Sequence, residues 1–247
     1  MNKTAIYFIA GLMGVFIVGW QAYLEVKAQG ADWLPVKYVR IEGAFQFIAK
    51  DKIKQVLGEH VRDGFYNADT QQIQVSVKAL PWVESVWVER VWPDAINIKI
   101  NEQVPVVRWG ESALLNKKGR KFKPDKINDF SFLPLLVGPE GYEVKMLKII
   151  AEMSDKLAKQ DMTLAEFYID ERRSWTIKLQ NKMLLNAGKN QPLKKILGFL
   201  NTIDLITKKQ IAKIAVVDLR YSNGYALKWK QGEAEIDWKK IAEMSKT

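Results

Sequence analysis

His60 is the only histidine among 247 residues, and there is no cysteine. A Ser/His/Asp relay would have to pass through that single ring. Thiolate nucleophiles, thiolate metal sites, disulfides and iron–sulfur clusters are excluded, and so are multi-histidine zinc or iron centres. His60 follows Gly58-Glu59 at the end of a helical pattern, where a solvated side chain is the simplest reading. Paired carboxylates would supply general acid and base groups, and the candidates are Asp170-Glu171 and Glu233, Glu235 and Asp237. They fall at a strand end and in a polar tail, where charge is ordinarily solvated. The sequence has no Gly-rich phosphate loop, nucleophile elbow or metal-ligand spacing. The expectation is a chain with no catalytic residue, no metal and no cofactor.

The other chemistry is recognition by charge and by backbone. The net charge is +10, from 38 Lys+Arg against 28 Asp+Glu, with nine tryptophans. Such a balance can address nucleic acid. Here the charge is scattered over short runs such as Lys117-Lys118, Lys194-Lys195 and Lys208-Lys209, and the tryptophans mostly occupy alternating strand positions. An acidic partner or a membrane surface fits that distribution better.

The candidate binding residues are Arg172, Arg173, Arg220, Tyr221, Asn223, Gly224, Tyr225, Ala226, Leu227 and Trp229. The last strand of the chain is a candidate sheet edge, whose unpaired backbone groups would accept a partner strand. Exposed arginines would grip partner carboxylates. Alternation sets Leu219 and Tyr221 opposite Arg220, so Tyr221 also has a core reading. Tyr225, Leu227 and Trp229 share one face, with Ala226 and Lys228 on the other, which gives Trp229 a core reading too.

Several elements must position these residues. Residues 5–24 form an uncharged apolar run, about 30 Å as a helix and one hydrocarbon core long. Trp20 and Tyr23 stand where an outer aromatic belt would lie. The run is longer than a signal-peptide core, so an uncleaved single-pass anchor is expected. Residues 1–4 are then a cytoplasmic tail, and residues 25–35 a linker to an extracytoplasmic bulk. Ala10 and Gly14, at i and i+4, would allow close packing against another membrane helix.

Residues 36–105 read as one domain. A strand ends at Gly43, and Ile53, Val56 and Leu57 mark a helix face. Asp69 and Gln72 open a second helix with a capping-box pattern, which Pro81 stops. Val86, Val88 and Arg90, then Ile96, Ile98 and Ile100, alternate on either side of Trp92-Pro93-Asp94. The order is β-α-α-β-β.

Residues 106–229 read as a second domain of short alternating segments with helices. Lys117-Lys118-Gly119 marks a hairpin, residues 130–137 cover the sheet or make an edge, and residues 142–159 carry a helical stripe. An antiparallel meander follows, with its last turn at Asn181-Lys182. Pro192 opens another helix. Two strands, residues 215–221 and 225–229, are joined by Asn223-Gly224, the signature of a type I′ hairpin turn. Residues 230–247 form a C-terminal tail.

Leu80-Pro81-Trp82-Val83, Val88-Glu89-Arg90-Val91-Trp92-Pro93 and the segment from Glu102 to Trp109 resemble the FtsQ/DivIB family of bacterial cell-division proteins. So do Arg172-Arg173-Ser174-Trp175 and Asp218-Leu219-Arg220-Tyr221-Ser222-Asn223-Gly224-Tyr225-Ala226-Leu227. The resemblance implies an α+β chain: an N-terminal transmembrane helix, a POTRA domain, then a mostly antiparallel β domain with flanking helices. It implies a non-enzymatic divisome scaffold in the bacterial inner membrane, with most of the chain periplasmic, at the division septum. The implied partners are the FtsB and FtsL complex at the β-domain edge, with FtsK, FtsW and FtsI-like division proteins as further candidates. Tyr225 departs from the family pattern, which has a small residue there, and the four-residue tail is shorter than in many relatives. An alternative is a POTRA-type transport or chaperone component that binds extended polypeptides. That reading predicts repeated POTRA units or a membrane barrel, and neither is visible in the sequence.

Overall fold

The chain divides into two units, Met1–Gln103 and Val104–Thr247. The computed structural model describes residues 11, 13–22, 24, 35–62, 64–203 and 206–232. Residues 13–22 are helical. The rest of the expected anchor (residues 5–10, 12 and 23), Ala10, the linker residues 25–34 and tail residues 233–247 lie outside the described residues. Among the described residues, no helix is long and apolar enough to cross a membrane.

The first unit runs β1 (Tyr38–Glu42), α1 (Lys50–Gly58), the single turn α2 (Gly64–Asn67), α3 (Thr70–Lys78), β2 (Val83–Val91) and β3 (Ala95–Glu102). The sheet order is β1-β3-β2, with β1 parallel and β2 antiparallel to β3. Register pairs Val86 with Ile100, Val88 with Ile98 and Arg90 with Ile96. Ile96, Ile98 and Ile100 meet Ile53, Leu57, Ile73 and Val77 of the helices in one core. Each fully buried side chain of this size contributes about 1.5–3 kcal/mol. The Asp69 carboxylate caps α3 by accepting from the Gln71 and Gln72 backbone N–H groups. At the far end, the Glu102 carboxylate accepts from the backbone N–H groups of Gln46, Phe47 and Ile48. That fixes the entry to α1. The α2 turn was not expected, since four residues are too few to show a helical period.

The second unit runs β4 (Pro105–Trp109), β5 (Ala113–Asn116), β6 (Lys121–Phe122), a 3-10 turn (Ile127–Phe130), β7 (Leu135–Val137), α4 (Glu143–Lys159), β8 (Leu164–Ile169), β9 (Trp175–Leu179), β10 (Leu184–Gly188), α5 (Pro192–Ile203), α6 (Lys208–Ala212), β11 (Ile214–Asp218) and β12 (Ala226–Trp229). They make one sheet in the order β12-β11-β10-β9-β8-β7-β4-β5-β6. Five pairings are antiparallel, while β4–β7, β7–β8 and β10–β11 are parallel. The fold is α+β, with a mixed sheet. α4 buries Met146, Ile149, Met153 and Leu157, and α5 buries Ile196, Phe199, Leu200 and Ile203, in the core with Leu136, Phe167 and Leu185.

Two expectations are corrected here, and one element was not anticipated. Residues 130–137 do not form an edge: Leu135–Val137 become β7, which lies inside the sheet between β4 and β8. Pro134 sits just before the strand, and its carbonyl still accepts from Arg108 N–H. The strand expected over residues 215–221 ends at Asp218. A helix, α6, precedes it, opened by a full capping box between Thr207 and Gln210.

Candidate partner-binding edge

β12 ends the nine-stranded sheet and, among the described residues, pairs only with β11. Ile214, Val216, Val217 and Asp218 face Trp229, Lys228, Leu227 and Ala226. Tyr225, Leu227 and Trp229 pack against the core, while Ala226 and Lys228 are exposed, as alternation requires. The Tyr225 ring meets Phe199 edge-on, with centroids 5.2 Å apart. Burial pushes the Tyr225 hydroxyl above its ordinary pKa, and a hydrogen bond with Thr202 opposes that shift. The strand is thus seated by three aromatic or branched side chains, and its outer backbone edge meets no described strand.

The connection into β12 differs from expectation. Neither Asn223 nor Gly224 has positive φ, so no type I′ turn forms. Because β11 stops at Asp218, residues 219–225 make a longer loop. Leu219 turns into the core at 3% exposure, while Tyr221 is 60% exposed. The core reading of Tyr221 is therefore wrong, because strand alternation no longer applies beyond Asp218. Tyr221, Asn223, Gly224, Tyr225 and Ala226 line one open depression at the start of the edge strand.

The same end of the sheet carries the cations. Pairing makes β8, β10 and β11 run in one direction. Their C-terminal ends, with the turn into β9, border an open cavity of about 370 Å³. Arg172, Lys189, Lys195 and Arg220 line it against a single carboxylate, Asp170. Arg220 donates from Nε and Nη2 to Asp218, and Lys195 Nζ reaches the Arg220 carbonyl at 3.1 Å. The neighbouring guanidinium holds the Asp218 carboxyl below its ordinary pKa, against a smaller effect of burial. Gly188 has φ +66°, and a Cβ there would meet Arg220 Cγ at 3.1 Å. A side chain at residue 188 would displace the arginine.

Arg172 and Arg173, adjacent in sequence, separate in space. Arg173 takes φ +64° in the turn closed by Asp170, and its guanidinium lies 4.5 Å over the Tyr142 ring. Arg172 alone of the two lines the cavity. An array of cations beside an open strand edge can bind a carboxylate-bearing extended segment.

The remaining candidates lie elsewhere. His60 Nε2 is 2.8 Å from Ser76 Oγ in the first unit. Gly14 is exposed, and beyond its own helix backbone nothing described lies within 4 Å of where a Cβ would stand. Among the described residues no three His, Asp or Glu side chains are placed to hold a metal ion.

Residues 34–103 match the model of the FtsQ-type POTRA domain, and residues 107–220 that of the FtsQ/DivIB C-terminal domain of cell-division proteins. The cell division protein FtsQ of Methylomonas methanica is 44% identical over 96% of this chain and 95% of that relative. The chain belongs to the FtsQ/DivIB family. The FtsQ proteins of Escherichia coli and Cellvibrio japonicus are each 31% identical, over 91% and 86% of this chain and 83% and 70% of theirs. The FtsQ/DivIB C-terminal match stops at Arg220, just ahead of the edge strand.

Sequence reasoning did not single out Asp218, Gly188, Lys189 or Lys195 as site residues. Asp218 and Arg220, two apart along an extended segment, were a readable signal. Gly188 and Lys189 were not, because they reach the site only through the parallel pairing of β10 with β11.

Proposed function

We propose that this FtsQ/DivIB-family chain is a non-enzymatic scaffold of the division septum. It is anchored in the bacterial inner membrane by residues 5–24, with residues 1–4 cytoplasmic and the bulk periplasmic. Residues 25–35 link the anchor to the POTRA domain, residues 36–105. The β domain, residues 106–229, offers β12 to a strand of an FtsB–FtsL-like complex. Arg172 and Arg220 take up partner carboxylates, while Tyr221, Asn223 and Gly224 present the loop beside them. Trp229, Leu227 and Tyr225 hold the strand from behind, and residues 230–247 follow as a tail. The POTRA domain receives upstream division proteins, and the assembly contributes to control of septal wall synthesis.

The observation that carries this reading is the coincidence of an edge strand with a four-cation cavity at its starting end. Backbone pairing supplies affinity, and the cations select an acidic segment. The test is co-purification of an FtsB–FtsL complex with the full-length chain, comparing Ala226→Pro, Arg220→Glu and Tyr221→Ala. Each is expected to weaken capture about tenfold or more, equivalent to about 1.4 kcal/mol. Capture indifferent to all three would remove the edge-strand reading.

A further inference from the structure

The first unit carries an exposed aromatic group that the division role above leaves unused. Tyr38, Tyr66, Val91 and Trp92 are 66%, 54%, 45% and 63% exposed. They gather at one end of the domain. Register sets Tyr38 and Val91 on either side of Ala95 in the last row of the sheet. Trp92 follows Val91, and its ring packs on the buried Phe65 ring at 5.0 Å and on the Tyr66 ring at 5.5 Å. Trp92 is therefore held in place with its outer face open. The opposite end of the sheet carries an Asn101 Nδ2–Ser85 Oγ hydrogen bond of 2.8 Å, with the Phe47 and Trp82 rings stacked on each other beside it.

The chain enters the domain at this same end. The backbone N–H groups of Lys37 and Tyr38 both donate to the Asp94 carbonyl, in the turn that follows Trp92. Ten residues, 25–34, separate Leu24 from Pro35, and ten residues span at most about 35 Å. The aromatic end is thus the end from which the domain is tethered. Tyr and Trp favour the bilayer interface, because each has an apolar body and a polar tip. Arg40, exposed on β1, and Lys37, exposed but paired with Asp94 at 3.1 Å, are cations near this end that can meet phosphate headgroups.

We propose that this end of the domain, through Tyr38, Tyr66 and Trp92, rests on the interface of the phospholipid bilayer in which the chain is anchored. The contact gives the domain a defined stance over the membrane. The inference rests on the reading of residues 5–24 as a membrane anchor, and the test separates the two.

Because the chain has no cysteine, a single introduced thiol labels one site. Full-length Val18→Cys, Tyr38→Cys, Trp92→Cys and Ser85→Cys are each coupled to nitrobenzoxadiazole. They are then reconstituted in vesicles of phosphatidylethanolamine and phosphatidylglycerol, with and without doxyl-labelled lipid. The labels at positions 18, 38 and 92 should emit blue-shifted light and lose intensity with doxyl lipid, while the label at 85 should behave as in water. Tyr38→Cys carries the test even if Trp92→Cys disturbs the Phe65 contact. Quenching at 18 with water-like emission at 38 and 92 overturns the proposal and leaves the anchor standing. No quenching at 18 removes the anchor and the proposal together, and equal quenching at 85 overturns the end-on contact.

Discussion

Arg220 closes on the carboxylate of Asp218 with side-chain hydrogen bonds of 2.9, 3.1 and 2.6 Å. The Arg220 backbone N–H adds a fourth bond, at 3.0 Å. This clamp turns the chain out of β11 and fixes one wall of the basic cavity. It lowers the Asp218 pKa and raises that of Arg220. A carboxyl whose folded pKa is depressed adds stability above its unfolded pKa, near 4, and loses it as pH falls through the lower folded value. Thermal unfolding followed from neutral pH downward should therefore show a loss below about pH 4 that is smaller in Asp218→Asn. Identical pH profiles for the two proteins would remove the clamp from the stability of this domain.

Gly188→Ala should destabilise the second unit by about 1–2 kcal/mol, the cost of a left-handed backbone for a residue with a Cβ. It should also weaken capture of an acidic partner, because the added methyl pushes Arg220 Cγ from its 3.1 Å approach. Denaturant midpoints check the first effect and co-purification the second. Normal capture by a destabilised variant would mean that the position of Arg220 does not matter for binding.

Phe199→Ala removes a buried ring and should cost about 3–5 kcal/mol. Its local signature is more specific than its size. With the Tyr225 ring unsupported, amide exchange should accelerate in β12 more than in β9 or β10. Exchange followed by mass spectrometry, peptide by peptide, reads this directly, and uniform acceleration across the sheet would show that β12 does not depend on this contact.

Glu102→Ala leaves the N–H groups of Gln46, Phe47 and Ile48 without their acceptor and should cost about 1–3 kcal/mol. Glu102→Gln keeps an acceptor oxygen and should recover part of that loss. Chemical denaturation of the three proteins gives the order wild type, Gln, Ala. An Ala variant as stable as wild type would show that solvent replaces the carboxylate without penalty.

Much of the fold was legible where one periodicity acts alone. The stripe of Met146, Ile149, Met153 and Leu157 and the alternation of Ile96, Ile98 and Ile100 each point to a buried face. The capping role of Asp69 was legible for the same local reason. What failed depended on neighbours distant in sequence. Leu135, Leu136 and Val137 become an interior strand only because β4 and β8 supply partners on both sides. Asn223-Gly224 reads as a two-residue turn, but the Asp218–Arg220 clamp ends β11 first, and the longer loop needs no positive φ there. That same early ending sends Tyr221 to solvent. The α6 helix had a visible signal in Thr207 and Gln210 that went unused. The edge position of β12 was anticipated, whereas the cavity beside it required β8, β10 and β11 to be brought into one direction.

The edge strand has only four residues, and Lys228 on it is exposed. A short rim bearing a cation makes a poor template for its own kind. Two copies meeting rim to rim would share few backbone bonds and bring like charges together. An incoming chain that is longer and acidic suffers neither handicap. Among the described residues no strand caps that rim, so its shortness and its charge are what disfavour pairing with a second copy.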